Sequence, residues 1–229
     1  VALKARVYLS WEDYEIALSA AKQLVEGGLS LMDYKDISSS KTYPFGLFNP
    51  EILWQCRIGG YNFMYSQNAF QVHPDLWVLY GDSDLRKSLY FVKRANGFIN
   101  FRGSYEGTIT LFGGLASDEV YLIYAECLAR KGDLSGAASV LNKLLLTRHK
   151  TGFEQLSFDN SEKALKTILE ERRKELVFRG LRWADLRRLN KDERFKTTLR
   201  RTYENVVYEL GPNSDRYVLP LPARELSFQ

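Results

Sequence analysis

The stretch "EERRKELVFRGLRWADLRR", residues 170 to 188, carries seven basic and four acidic side chains around Leu176, Val177, Phe178, Leu181, Trp183 and Leu186. Charge at this density suits three kinds of chemistry: a cationic surface for nucleic acid, an acid/base cluster, or ion pairs inside a scaffold. On a helix, Glu170 and Lys174 stand four apart, Glu171 and Lys174 three, and Glu175 and Arg179 four. The acid comes first each time, the favourable order for surface pairs, which contribute about 0.2–0.5 kcal/mol each. Arg172 falls on the apolar stripe of Ile168, Leu169 and Leu176, where Glu175 is placed to compensate it. Spacing therefore predicts a self-neutralising structural network.

Other reactive constellations are missing. The two histidines, His73 and His149, lie on separate segments and fit no metal-binding spacing, and no metal or other cofactor is expected. The sequence lacks the G-x-S-x-G nucleophile elbow, the phosphate loop and the dinucleotide fingerprint. "GDSDLRK" offers Asp82 and Asp84 but places Arg86 where a calcium loop needs oxygen. The paired carboxylates of a glycosidase are defined by a spatial separation of about 5 to 9 Å, and no sequence pattern marks them. A net charge of +4, from 32 basic and 28 acidic residues, gives no support to a nucleic-acid partner. No apolar run approaches the roughly 18 residues of a membrane span. Cys127, among Ala125, Leu128 and Ala129, reads as a buried free thiol.

Helices must position whatever chemistry exists. "LKARVYLSWEDYEIALSAAKQLVEGG" reads as two helices joined at Trp11 to Asp13 and stopped by Gly27-Gly28. "EVYLIYAECLARKGDLSGAASVLNKLLLTR" is a second hairpin, in which Ala125, Asp133, Ala137 and Leu144 match Ala5, Asp13, Ala17 and Leu24. Both resemble tetratricopeptide units, although their wide separation disfavours an ordinary tandem array. Residues 29 to 116 form a long loop-rich insertion. Within it "EILWQCRI" suits a short strand, "PDLWVLY" a short helix opened by Pro74, and "YFVKRANGFINFRG" a hairpin turning near Asn96-Gly97. A helix is predicted from Ser161 to about Arg179, stopped by Gly180, and a shorter one from Leu181 to Leu189 turns Trp183 and Leu186 inward. The tail around Pro220 and Pro222 reads as extended.

"ERRKELVFRGLRWADLRR" closely resembles the C-terminal signature of the RagB/SusD family of outer-membrane nutrient-binding lipoproteins, through Glu171, Arg172, Glu175, Leu176, Phe178, Gly180, Arg182, Asp185 and Leu186. Arg179 stands where the family commonly has an acid. "SDEVYLIYAECLARKGD" is similar to the family's repeat helix with its Tyr124-Ala125-Glu126 core, "NPEILWQ" to the element before its variable loops, "DSDLR" to its D-x-R turn, and "RYVLPLPARELS" to its closing motif with Pro220, Leu221, Pro222 and Glu225. The resemblance implies a mainly α, SusD-like fold of tetratricopeptide-like hairpins with a loop-rich insertion at 29–116, flanked by hairpins at 1–28 and 117–150 and by C-terminal helices and tail at 151–229. Family members are about twice this long, and the chain starts at Val1; the expectation is that an N-terminal half, with its lipidated cysteine anchor, lies outside it.

The resemblance also implies non-catalytic capture of oligosaccharide on the outer face of the outer membrane, for import through a SusC-like TonB-dependent transporter. Some members take peptides. Aromatic rings stack on sugar faces while amide and guanidinium groups reach hydroxyls, so Tyr61, Asn62, Phe63 and Tyr65 of "GGYNFMYSQN", with Trp77, are the candidate ligand residues. Trp54, Phe178 and Trp183 are expected in the scaffold. Two other readings stay open at this point: a peptide-binding helical scaffold with contacts on helix faces, and a glycoside-processing enzyme.

Overall fold

The computed structural model describes residues 1–59 and 71–226, which divide into two compact units, Val1–Arg182 and Trp183–Gln229. The first unit opens with α1 (Ala2–Ser10) and α2 (Tyr14–Glu26). Asp13 caps α2 by accepting a hydrogen bond from the Ile16 amide at 3.1 Å, which satisfies one of the donors that a helix start leaves orphaned. The hairpin closes tightly because its facing residues are small: Ala5, Ala17 and Ala21 are wholly buried.

Among the described residues, the insertion contributes short elements. These are β1 (Ile52–Trp54), β2 (Arg57–Ile58), α3 (Pro74–Trp77), α4 (Arg86–Tyr90), β3 (Phe91–Lys93), β4 (Ile99–Phe101), β5 (Leu111–Phe112) and β6 (Leu115–Ala116). Their ladders are antiparallel pairs, β1 with β6, β2 with β5 and β3 with β4. Strands this short cannot hold themselves together. They sit instead on an aromatic core of their own, in which Tyr34, Phe45, Tyr90, Tyr105 and Phe112 are almost fully buried and the rings of Phe45 and Tyr105 lie 5.0 Å apart.

Next come α5 (Ser117–Lys131), α6 (Leu134–Arg148) and α7 (Ser161–Glu175). Gly132 ends α5 at φ +88°, a conformation glycine takes without strain, and Asp133 then caps α6 through the Gly136 amide at 2.8 Å. Ala125 and Ala137 are wholly buried, matching Ala5 and Ala17 of the first hairpin. Cys127 is buried as a thiol outside any disulfide.

The second unit holds most of α8 (Arg182–Leu189), then β7 (Leu199–Tyr203) and β8 (Val206–Leu210), and ends in α9 (Ala223–Leu226). β7 and β8 form a five-pair hairpin turned by Glu204 and Asn205, both left-handed at φ +47° and +62°. The sequence hid this hairpin, because a two-residue turn of this kind normally announces itself with glycine.

Several expectations need correction. α7 stops at Glu175 and not at Arg179, because the chain bends through Phe178 at φ +58°. Trp183 is 38% exposed and stacks on the Tyr217 ring at 4.8 Å instead of turning inward. Trp54 is 54% exposed on β1, which among the described residues pairs with β6 alone. The tail is extended only in part, since α9 follows Pro222.

Candidate functional site

The charged stretch is not a surface. α7 carries Glu171, Lys174 and Glu175 inward, and the bend after it delivers Arg179, all at most 9% exposed. Glu175 bridges two arginines, accepting from Arg148 Nε at 2.7 Å and from Arg86 Nη1 at 2.8 Å. Arg86 also forks onto Asp84 with two bonds of 2.8 Å and reaches Glu171 at 2.6 Å. Arg148 Nη2 donates to both Glu51 oxygens at 2.8 and 2.9 Å, and Arg179 forks onto Asp118 at 3.0 and 2.6 Å. Lys174 bridges Asp84 and Glu171 at 2.8 Å each.

The surface pairs read from sequence are therefore corrected. Only Glu171 with Lys174 forms, and it is buried; Glu175 turns to Arg86 and Arg148, Arg179 to Asp118, and Arg172 approaches Glu119 at 3.8 Å. Helical spacing misled because the helix ends at Glu175, so Arg179 never sits one turn above it. Nothing local in the sequence reveals partners 61 to 97 residues away.

A tyrosine chain extends the network. Tyr34 bonds Tyr90 at 2.9 Å and Tyr105 at 2.7 Å, and Tyr105 donates to Glu51 at 2.7 Å. Burial holds these phenols well above their usual range and un-ionised. Burial opposes the charge on Glu175, yet Arg148 and Arg86 hold its carboxyl down, at about 2. Burial pushes Asp118 up to about 7 against the pull of Arg179.

These groups have the shifts of an active site without its space. The void beside Glu175 and Arg179 is about 10 Å³, room for one water and no substrate. Nearby, Ser83 Oγ lies 3.1 Å from His149 Nδ1, and His149 Nε2 lies 3.9 Å from Asp84. That order mimics a hydrolytic triad, but 3.9 Å is no hydrogen bond and Asp84 is already held by Arg86 and Lys174.

Ligand-type chemistry appears on the β3–β4 hairpin. Its turn is closed by Arg94 N donating to the Phe98 carbonyl at 2.8 Å and Gly97 N to the Arg94 carbonyl at 2.9 Å, with Gly97 at φ +84°. Asn96 Oδ1 accepts from the Phe98 amide at 3.1 Å, which leaves the Phe98 ring 49% exposed at the tip. Gln71 runs alongside, bridged to Asn100, and with Arg94, Ala95, Asn96 and Phe98 it lines a shallow surface. An apolar ring beside two amides and a guanidinium is the combination a sugar needs.

Of the residues proposed from sequence, Tyr61, Asn62, Phe63 and Tyr65 lie outside the described residues. Trp77 ends α3 half-buried, its ring edge-on to Phe91 at 5.7 Å with Lys87 Nζ 5.5 Å from the ring centre. The sequence reading missed Phe98, whose exposure comes from its place at the tip of the β3–β4 hairpin, beside the Asn96-Gly97 turn.

Residues 118–228 match the model of the SusD family. Solved structures agree in fold. A SusD-like carbohydrate-binding protein of Bacteroides vulgatus superposes with a TM-score of 0.68 at 20% identity, covering 99% of this chain and 56% of its own. For a SusD-like protein of Bacteroides fragilis the values are 0.69, 16%, 99% and 62%. Surface glycan-binding protein A of Bacteroides uniformis gives 0.60 at 16% identity, covering 82% and 48%. The chain thus spans little more than half the length of the first two. No curated protein sequence matches it. Glu171, Arg172 and Glu175, through which the stretch resembles the SusD family, are all buried, so in this chain the signature describes the scaffold and not a ligand surface.

Proposed function

We propose that the protein captures a glycan at the cell surface, without cleaving it, and passes it to a SusC-like TonB-dependent transporter in the outer membrane, where a lipid anchor upstream of this chain holds it. The β3–β4 tip carries this reading: Phe98 offers a stacking face, and Gln71, Asn96 and Arg94 offer hydroxyl partners on one surface. We keep Tyr61, Asn62, Phe63, Tyr65 and Trp77 as further candidate ligand residues, on the chemistry of their side chains. The descriptions of the vulgatus and uniformis neighbours, carbohydrate-binding and glycan-binding, favour the same ligand class. The crowding of the buried charges supports a binding role over a hydrolytic one.

Calorimetry of the full-length protein against a polysaccharide panel tests the reading. Phe98→Ala is expected to weaken glycan binding roughly tenfold, the equivalent of about 1.4 kcal/mol, with unchanged thermal stability. Binding that survives replacement of Phe98, Tyr61, Tyr65 and Trp77 together refutes the site, and product formation refutes the non-catalytic role.

A further inference from the structure

The hairpin of β7 and β8 is a sheet of two strands, and among the described residues no third strand joins it. A ribbon of that size is at best marginally stable in water unless something covers one of its faces. Its register sorts the side chains. Leu199 pairs with Leu210, Arg201 with Tyr208 and Tyr203 with Val206, so strand alternation puts these six on one side and Arg200, Thr202, Val207 and Glu209 on the other.

The two sides treat their charges differently. On the second, Arg200 Nε donates to Glu209 at 2.6 Å, and that pair is closed. On the first, Arg201 stands between Leu199 and Tyr203. Neither its side chain nor that of Glu204, which opens the turn, has an ion-pair or hydrogen-bond partner among the described residues. Around Arg201 the surface is apolar and open, with Tyr203, Val206 and Tyr208 each more than half exposed. An open apolar face of this kind marks an interaction surface. This one carries a single unpaired cation in its middle and a single unpaired anion at its end.

A second copy, turned antiparallel, is complementary to that pattern. When a two-fold axis relates two ribbons face to face and crosses them midway between positions 201 and 204, Arg201 of each copy lies over the turn of the other, beside its Glu204. Tyr203 and Val206 of both copies then meet between the two ion pairs, and every charge on both ribbons is matched. That reciprocity, residue i on j and j on i, is what a two-fold interface requires.

We infer that the β7–β8 face joins two copies of this protein, through reciprocal Arg201–Glu204 pairs around an apolar centre of Tyr203, Val206 and Tyr208. The contact is small, well under the roughly 20–30 residues a side of a standard interface, so the association is weak and reversible.

Sedimentation velocity of the full-length protein, from about 1 µM to about 500 µM, should show monomer passing into dimer with a dissociation constant on the order of 100 µM. Arg201→Glu and Glu204→Arg should each weaken this at least about tenfold, since each sets like charges against one another at both ends of the contact. Mixed in equal amounts, the two variants should recover association close to that of the wild type, because a chain with two acids now faces a chain with two bases. A substitution that had merely damaged the fold gains nothing from mixing. Tyr208→Ser should also weaken the dimer. A wild-type protein that stays monomeric throughout overturns the inference, and so do single variants that associate as tightly as the wild type or a mixture that recovers nothing. If the wild type is monomeric and Tyr208→Ser weakens glycan binding, the face is a ligand surface and not an interface between copies.

Discussion

Glu175 is the residue on which the scaffold's charge balance turns, and Glu175→Gln measures it. Each carboxylate oxygen accepts one hydrogen bond from a guanidinium, at 2.7 and 2.8 Å, and all three side chains are fully buried. Glutamine keeps one acceptor and turns its NH₂ toward the other arginine, donor against donor. The loss is one charge-assisted bond, about 1.5–3 kcal/mol, together with a buried positive charge that is no longer fully compensated. Arg86 keeps Asp84 and Glu171, and Arg148 keeps Glu51, so the total should fall near the lower end of the 3–5 kcal/mol range for broken buried pairs. We expect about 3 kcal/mol from urea unfolding followed by circular dichroism. The control is Glu209→Gln, which removes the exposed Arg200–Glu209 pair at 2.6 Å and should cost under about 0.5 kcal/mol. If both substitutions cost the same small amount, the buried network does not hold the fold and the argument is wrong.

Acid should unfold the protein through the same group. The Glu175 carboxyl is depressed from 4.5 to about 2, so its contribution is complete above its unfolded value and is lost as pH falls from about 4.5 toward 2; Asp84, held still lower by Arg86 and Lys174, acts in the same direction. Asp118, pushed up to about 7, has the opposite slope, lowering stability as pH rises from about 4 to 7, and Tm measured across pH 2–8 should show both limbs. Gly114→Ala would set a Cβ 2.0 Å from the Trp54 carbonyl oxygen and 2.7 Å from the Phe112 ring, and should lower stability by about 3 kcal/mol in the same urea assay. Asp133→Ala removes the cap bonded to the Gly136 amide and should cost about 1 kcal/mol.

Local signals served well where the structure is local. The Gly132-Asp133 turn, the Asn96-Gly97 hairpin and the opening of α3 at Pro74 are each decided by a few adjacent residues, and each forms where the sequence places it. Matching of small residues between Ala5, Ala17, Ala125 and Ala137 likewise marked the tight helix contacts. Partner choice among charges was illegible, because Glu51 meets Arg148 and Asp118 meets Arg179 only after the insertion has folded over α5 to α7. The exposed β7–β8 hairpin turns through Glu204 and Asn205 without a glycine to mark it, and Phe98 is a lone aromatic whose exposure depends on strand register, which the sequence alone leaves open.

The network also sets the tempo of folding. Each helical hairpin closes across a turn of a few residues, a quick event, whereas Arg148 must find Glu51 across 97 residues and Arg86 must find Glu175 across 89. Closing such loops costs entropy before any contact repays it, so the meeting of the insertion with α6 and α7 is the expected slow step, and stopped-flow refolding should show helix formation ahead of burial of the core tyrosines. Until that meeting, a set of charges destined for the interior stands in water, where each is comfortable alone. Charged groups in water favour a dispersed chain, an advantage that a purely apolar seam would lack.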